Sequence, residues 1–376
     1  MPPTRSSRLS DPNSRSERAM YPFTSDRPYI HNAWYIAAWT DEIGRTPLER
    51  TIMDTPIVFY RTLAGDAVAM RGLCPHRNYP LGQARLDGDN IRCPYHGFTY
   101  APTGQCVAIP AQTSIPRHFR HRTYPLVERG GLAWIWMGDA DAADVAHMPE
   151  LAEIGFDQPG WHVVPNGRTV VNARWSLIID NVMDLSHVGF LHLTTIEAPD
   201  AGDAKPEQGA TGRIEVVRWM CDQKPDTPYY RHAFPDNRDP LDVEMGSVFH
   251  SPALVITYFK FYSAAARGPR RLLGMSNHLH GVTPESRGRS HDFSGVVRNV
   301  RPDAPEFDLW LRDAVNRTRE EDVDALERIE PLVDRFGDAR TELSGIGDVG
   351  PNRVRRRLNA LLRAEEDASA PSDAMP

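Results

Sequence analysis

A chain of 376 residues is long enough for about two domains and a substantial core. Its 40% apolar and 25% charged content is that of an ordinary globular protein, and a net charge of −7 speaks against a nucleic-acid partner, which favours basic surfaces. No apolar run approaches the roughly 20 residues that cross a bilayer, and four cysteines in so long a chain do not make a disulfide framework, so a cytoplasmic, reducing setting with metal-binding thiols is expected.

In chain order, residues 1–30 are rich in Ser, Pro and Arg and lack an apolar signal core. They read as a disordered arm, with residues upstream of a start at Met20 as the other reading. A small all-β domain is expected over 31–139. Ile57–Tyr60, Ala67–Met70, Cys106–Ile109 and Leu132–Trp136 are strand-length runs, and Leu63-Ala-Gly-Asp66 and Leu86-Asp-Gly-Asp89 supply turns. An Ala/Asp linker, 139–146, leads to a second domain over 147–365. There Ala173–His192 reads as a helix. Arg213–Met220, Ala253–Phe261, Arg271–Gly281 and Gly288–Val297 read as strands, and Glu306–Phe336 and Pro351–Glu365 as helices. Helices flanking mainly antiparallel strands give the fold class α+β. Residues 366–376 read as a disordered tail.

The strongest chemical signal is Cys74-Pro-His76, sixteen residues, then Cys93-Pro-Tyr-His96-Gly97. Two thiolates and two imidazoles are the set for a [2Fe–2S] cluster with mixed ligands, whose reduction potential lies above that of an all-cysteine cluster. A structural zinc site usually pairs Cys with Cys and His with His. Pro75, Pro94 and Gly97 suit tight loops around such a cluster.

A second constellation lies in the predicted helix, at Asn181, Asp184, His187 and His192. Positions three apart share a helix face, so Asn181, Asp184 and His187 stack. His192 stands about 140° further round an ideal helix. The two histidines meet on one ion only if the helix bulges or ends between them, and Gly189 would ease that. Two imidazoles and one carboxylate make the facial triad of non-haem Fe(II) oxygenases; the plainer reading is a helix with two buried histidines. The carboxylate is sought in the late helix, where Leu311, Val315, Leu326, Ile329 and Val333 form an apolar stripe that contains Asp322. A bound cation would relieve the cost of burying Asp322; a salt-bridged helix acid is the alternative. Glu320, Glu321 and Asp324 fall off the stripe and are expected in solvent.

With these motifs Asn32-Ala-Trp-Tyr-Ile-Ala-Ala-Trp39, Pro80-Leu-Gly82, Gly104-Gln-Cys-Val107, Tyr124-Pro-Leu-Val-Glu128, Trp134-Ile-Trp-Met-Gly138 and Thr283-Pro-Glu285 complete a pattern. From about residue 30 to 365 the chain resembles the oxygenase component of Rieske non-haem iron oxygenases, in the vanillate O-demethylase and dicamba monooxygenase group. The resemblance implies a Rieske β domain followed by a helix-grip catalytic domain with an antiparallel sheet. It implies a [2Fe–2S] cluster held by Cys74 and Cys93 on one iron and His76 and His96 on the other. It implies Fe(2+) held by His187, His192 and Asp322, with Asp184 carrying electrons between subunits of a head-to-tail homotrimer and Asn181 beside it. His280 matches a substrate-contacting histidine, with Asn277 near; the alternative for both is an ordinary polar strand residue.

The implied activity is hydroxylation of an aromatic substrate with O2, and specifically oxidative O-demethylation of a methoxylated aromatic acid. Ring dioxygenation or desaturation is the alternative. The chain lacks a Gly-rich nucleotide fingerprint, so electrons from NAD(P)H are expected through a separate ferredoxin or reductase. An electron carrier alone would need only about the first 140 residues. There are departures where substrate would sit. The run Ser290-His-Asp-Phe293 lacks the aromatic pair many relatives carry. A substrate-side Trp expected nine residues before the carboxylate is Asp313 here, with Trp310 nearest. Residues 198–250 are polar and match no family motif.

Overall fold

The computed structural model describes residues 28–198, 200–209, 211–336 and 342–369. Most of both termini read as disordered therefore lies outside the described residues. Of the arm, Tyr29 and Ile30 are described and buried: the Tyr29 hydroxyl donates to Asp54 at 2.5 Å and the Ile30 carbonyl accepts from Tyr35.

The first domain is built from short strands: β1 (Trp34–Trp39), β2 (Leu48–Ile52), β3 (Thr55–Arg61), β4 (Ala67–Arg71), β5 (Arg85–Asp87), β6 (Asn90–Arg92), β7 (Thr99–Tyr100), β8 (Cys106–Ala108), β9 (Leu126–Arg129) and β10 (Leu132–Trp136). They form three antiparallel sheets, ordered β1-β10-β9, β2-β3-β4 and β5-β6-β7-β8. Every residue of β1 and β10 is buried, because Trp34 and Trp136 pack on one side while Tyr35, Ala37 and Ile135 face the other core. The loops between β4 and β5 and between β6 and β7 carry the Cys/His pairs.

The second domain holds, among the described residues, a seven-stranded antiparallel sheet. Its strands are β11 (His162–Val171), β12 (Glu207–Gln208), β13 (Ile214–Gln223), β14 (Leu241–Ser251), β15 (Leu254–Ser263), β16 (Leu272–Ser286) and β17 (Arg289–Arg298), in the order β11-β17-β16-β15-β14-β13-β12. The helices are α1 (Trp175–Met183), α2 (Val188–Leu191), α3 (Asp200–Asp203), α4 (Pro228–Ala233), α5 (Pro305–Phe336) and α6 (Val349–Ser369). This is the helix-grip arrangement: α5 lies against β11 and α1, and α1, buried over most of its length, is held between sheet and α6. α6 continues to Ser369, past the expected end at Glu365, through a run rich in the strong helix formers Ala and Glu.

The domains are joined by backbone. Met53 N–H donates to the Pro284 carbonyl and Asp54 N–H to the Glu285 carbonyl, both at 2.9 Å, and the Thr283 hydroxyl donates to the Ile36 carbonyl. At Gly281 a Cβ would stand 2.5 Å from the end of the Ile36 side chain, so β16 and β1 approach closely there and any larger residue would make Ile36 shift.

Three sequence expectations change. The helix read over Ala173–His192 is broken: α1 stops at Met183, Asp184 leaves helical geometry (φ −110°, ψ 97°), and a 3-10 turn, Leu185–His187, leads into α2. The break precedes His187, so Gly189 sits within α2 and plays no part in it. The segment 198–250, polar and without a family motif, holds β13 where the strand Arg213–Met220 was expected, and also β14, which was not. Its charged residues are paired rather than solvated: buried Asp242 meets Arg270 at 2.6 Å, and Glu244 accepts from Lys260, Tyr258 and Tyr262. On α5, Leu311, Leu326 and Val333 are buried as expected, whereas Ile329 is 42% exposed.

Candidate functional site

The two Cys/His loops fold alike. In the first, Asn78 N–H donates to the Cys74 carbonyl and Cys74 N–H to the Tyr79 carbonyl. In the second, Gly97 N–H donates to the Cys93 carbonyl and Cys93 N–H to the Phe98 carbonyl. Each loop turns through a left-handed residue, Asn78 (φ 53°) or Gly97 (φ 73°). Asn and Gly are the residues that tolerate that conformation. The result brings two buried thiols, Cys74 and Cys93, and two exposed imidazoles, His76 and His96, to one edge of the domain. The imidazole centroids lie 4.7 Å apart, and His76 stacks on Phe98. Burial, then the neighbouring Cys74, pushes the Cys93 thiol up, which disfavours a bare thiolate and suits a group that brings its own positive charge. The donor set and its arrangement fit a mixed-ligand [2Fe–2S] cluster. The Tyr100 hydroxyl stands 3.7 Å from the Cys74 Sγ, a neighbour that sequence reading passed over.

The break after α1 builds the second centre. Asp184 caps the 3-10 turn, its carboxylate accepting from Ser186 N–H at 2.9 Å. Its carbonyl meets His187 Nδ1 at 2.5 Å, which leaves His187 Nε2 to face Asp322, 3.5 Å away. His192, nearly fully buried, ends α2 with Nε2 at 3.2 Å from the same Asp322 oxygen. Asn181 Nδ2 donates to that oxygen at 2.9 Å. His187, His192 and Asp322 thus offer three ligand atoms within 4.8 Å of one another. Each imidazole has its other nitrogen engaged: His187 by the Asp184 carbonyl, His192 by Glu321 Oε2 at 2.7 Å. This is the outer arrangement that fixes tautomer and ring orientation around a metal.

Burial lowers the His187 pKa, more than the Asp322 charge raises it. For His192 burial also opposes charge, but the hydrogen bonds and charges of Asp322 and Glu321 win and raise it. Burial raises Asp322 too, yet His192, His187 and Asn181 bring it below its usual value. The Asp322 carboxylate between the two imidazoles is thus held in its charged form, where a cation fits. Glu321, expected in solvent, is instead the partner of His192 and also accepts from Thr195 (2.7 Å) and Thr194 (3.4 Å). Only its position beside Asp322 hinted at this.

These ligand atoms open into a cavity of about 170 Å³ between sheet and α5. Its walls are aromatic and aliphatic, including Tyr229, Phe259, Phe261, Trp310 and Leu326, with polar Thr257, His278, His280, Asp292, Ser294 and Arg319. A cavity near 150 Å³ accommodates benzene, so a substituted single ring is the natural occupant. His280 lies in the wall, its Nε2 3.1 Å from the Thr257 hydroxyl, and burial drives its pKa down to about 4. His278, two residues earlier on the same strand face, lines the cavity as well and was not singled out from the sequence. Asn277 does not join the site: it points to the opposite face of β16, where its amide donates to the Ile154 carbonyl at 2.7 Å. Asp313 faces solvent in an ion pair with Arg317, and Trp310, one turn earlier, lines the cavity. Asp184 turns its carboxylate away from the cavity, toward the buried guanidinium of Arg218 at 3.5 Å.

Known proteins match this architecture. Residues 33–128 match the Rieske [2Fe–2S] domain model, and 171–364 that of the vanillate O-demethylase oxygenase C-terminal domain. The iron–sulfur subunit TsaM1 of the toluene-4-sulfonate monooxygenase system of Comamonas testosteroni is 32% identical, over 91% of this chain and 100% of that protein. The oxygenase component of dicamba O-demethylase from Stenotrophomonas maltophilia is also 32% identical, over 90% and 99%. The crystal structure of dicamba monooxygenase bound to 3,6-dichlorosalicylic acid superposes with a TM-score of 0.82 at 29% identity, covering 90% of this chain and 99% of that one. A further structure of that enzyme, with non-haem iron and dicamba, gives 0.76, at 27% identity over 91% and 99%.

Proposed function

The chain belongs to the Rieske non-haem iron oxygenases, as an oxygenase component of the kind with a vanillate O-demethylase C-terminal domain, and we propose that it oxidatively O-demethylates a methoxylated aromatic acid. It is a monooxygenase-type oxidoreductase whose cofactors are a [2Fe–2S] cluster and a mononuclear iron. When bound, these supply one-electron transfer and activation of O2. In the proposed reaction one methoxyl group, one O2, two electrons and two protons give a phenol, formaldehyde and water, the oxygenated methyl collapsing by loss of formaldehyde. The electrons originate with NAD(P)H on a separate reductase or ferredoxin.

The observation that carries this reading is the convergence of His187, His192 and Asp322 on the wall of an apolar, ring-sized cavity. We assign the iron to these three side chains and the cluster to Cys74, His76, Cys93 and His96. Asn181 holds the Asp322 carboxylate in line through its amide. The Asp184 carbonyl and Glu321 keep each Nε2 free of its proton and directed inward. The aromatic walls exclude water and hold the ring, and neutral His280, braced by Thr257, offers a hydrogen bond to a ring substituent. For Asp184 we propose a bridge to the cluster histidines of a neighbouring copy in a homotrimer, with Arg218 and Ser186 fixing the carboxylate.

The test is a panel of methoxylated aromatic acids offered to the reconstituted protein with a compatible reductase, reading NADH use, formaldehyde and product mass. Equimolar formaldehyde and phenol are expected from at least one acid. Products carrying two added hydroxyls, or a new double bond without added oxygen, would replace demethylation by dioxygenation or desaturation.

A further inference from the structure

We propose that Arg319 is a specificity-determining residue that anchors the anionic group, a carboxylate or sulfonate, of the aromatic substrate. The proposal rests on the oxygenase reading above and extends it to the substrate's charge.

Arg319 lies on α5 one turn before Asp322. Among the described residues it is the only arginine or lysine lining the cavity. Its guanidinium is oriented without being neutralised. One nitrogen donates to the Ser294 hydroxyl at 2.9 Å and another to the Asn316 side-chain oxygen at 2.6 Å. Both acceptors are uncharged, and both also receive the Asn166 amide, at 3.2 and 2.9 Å. Asn166 sits in an irregularity of β11 between Pro165 and Arg168, a local kink of the type that re-aims side chains beside active sites. Asn166, Ser294, Asn316 and Arg319 thus close a ring that fixes the guanidinium plane.

Two of the five N–H groups of that guanidinium are so used, which leaves three without an acceptor among the described residues. Among the described residues no carboxylate forms an ion pair with it: Asp322 is occupied by His192 and Asn181, and Asp292, buried on the same wall, feels its charge only from beyond contact distance. A half-buried cation without an ion-pair partner, in the wall of a largely apolar slot, selects a ligand with one flat ring and one anionic end. Guanidinium matches carboxylate in a two-pronged geometry that an amide or ester does not reproduce.

The test compares Arg319→Gln and Arg319→Lys with the parent protein, full-length and metal-loaded. The probes are 3- and 4-methoxybenzoate and toluene-4-sulfonate, each beside its neutral amide or sulfonamide. Dissociation constants are measured by calorimetry, with metal content and thermal midpoint alongside. The parent is expected to bind at least one anion tenfold or more tighter than its amide. Arg319→Gln should weaken that anion by about 10- to 100-fold and its amide by less than threefold, and Arg319→Lys should keep most of the preference. A parent without anion preference, a preference that survives Arg319→Gln, or equal losses for acid and amide overturns the proposal. Formaldehyde release separates it from the demethylation reading. Arg319-dependent anion binding without formaldehyde from any methoxylated probe removes demethylation and keeps the anchor. Formaldehyde from neutral methoxyarenes, unaffected by Arg319→Gln, removes the anchor and keeps demethylation.

Discussion

Replacing Glu321 should loosen the mononuclear site without touching a ligand. His192 is 2% exposed at its side chain, and its Nδ1 meets Glu321 Oε2 at 2.7 Å, a short, charge-assisted bond. Glu321→Ala removes that partner, lowers the basicity of the ligating Nε2 and leaves a buried Nδ1–H unpaired. Loss of such an outer partner costs about 10- to 100-fold in metal affinity, or about 1.4–2.7 kcal/mol. Glu321→Gln keeps an amide oxygen that accepts the same hydrogen bond while losing the charge, so its loss should stay near the lower figure. The assay is anaerobic competition for Fe(II) against a chromophoric chelator, with the visible absorbance of the Rieske cluster as an internal control that stays constant. Affinity within threefold of the parent in Glu321→Ala, or equal losses in both variants, refutes the reasoning.

Other outcomes follow from other parts of the structure. Asp184→Asn should retain both metals, by absorbance and iron content, yet slow turnover by more than about tenfold, a barrier rise above about 1.4 kcal/mol; unimpaired turnover with a compatible reductase removes the bridging role. Buried Arg174 meets Glu330 through Nε at 2.9 Å and a terminal nitrogen at 2.7 Å, so Arg174→Met should cost about 3–5 kcal/mol in urea unfolding by stranding Glu330, and Arg174→Met with Glu330→Met should recover part of it. His291 bridges the domains, donating to the Thr51 carbonyl and accepting from Arg168, and burial holds its pKa down to about 4. The unfolded chain takes up this proton near 6.5, so between about 6.5 and 4 the unfolded state binds more protons and stability falls as pH falls. His291 should contribute about 1.4 kcal/mol per pH unit to that loss; an unchanged slope in His291→Asn, measured by urea unfolding at pH 7.5 and 5.5, contradicts it.

The parts of the site legible in the sequence were those whose chemistry is local. Cys74, His76, Cys93 and His96 stand in two short loops whose turns need only Asn78 and Gly97, and His187 and His192 stand in one segment. Asp322 was legible because it interrupts an apolar helix stripe. What was not legible depends on contacts between distant segments. Glu321 looked solvated because the ring it serves comes from residue 192. The break at Asp184 carries no Pro or Gly; it is set by the cap to Ser186 N–H and by the pull of both histidines toward α5. The alternation Leu241-Asp-Val-Glu-Met245 is a strand signal, but Asp242 and Glu244 mimic a polar loop until Arg270, Lys260, Tyr258 and Tyr262 arrive from β15 and its flanks. Asn277 and His280 looked equivalent in sequence; one residue of strand parity separates the wall of the cavity from the far side of the sheet.

Continuous helix α5, 32 residues long, carries both the acid of the proposed metal triad and the guanidinium at the cavity wall. Three residues of helix put about 4.5 Å of axial rise between Arg319 and Asp322. If Arg319 holds a substrate's charged end and Asp322 the iron, that rise is a ruler engraved in the backbone: it would fix how far from the charged end oxidation falls, and so which ring position, ortho, meta or para, is presented. Regiochemistry in this scaffold then becomes a matter of helix pitch. Moving the cation one turn back, to position 315, would lengthen the gauge by about 6 Å without altering a strand of the sheet or a ligand of the metal.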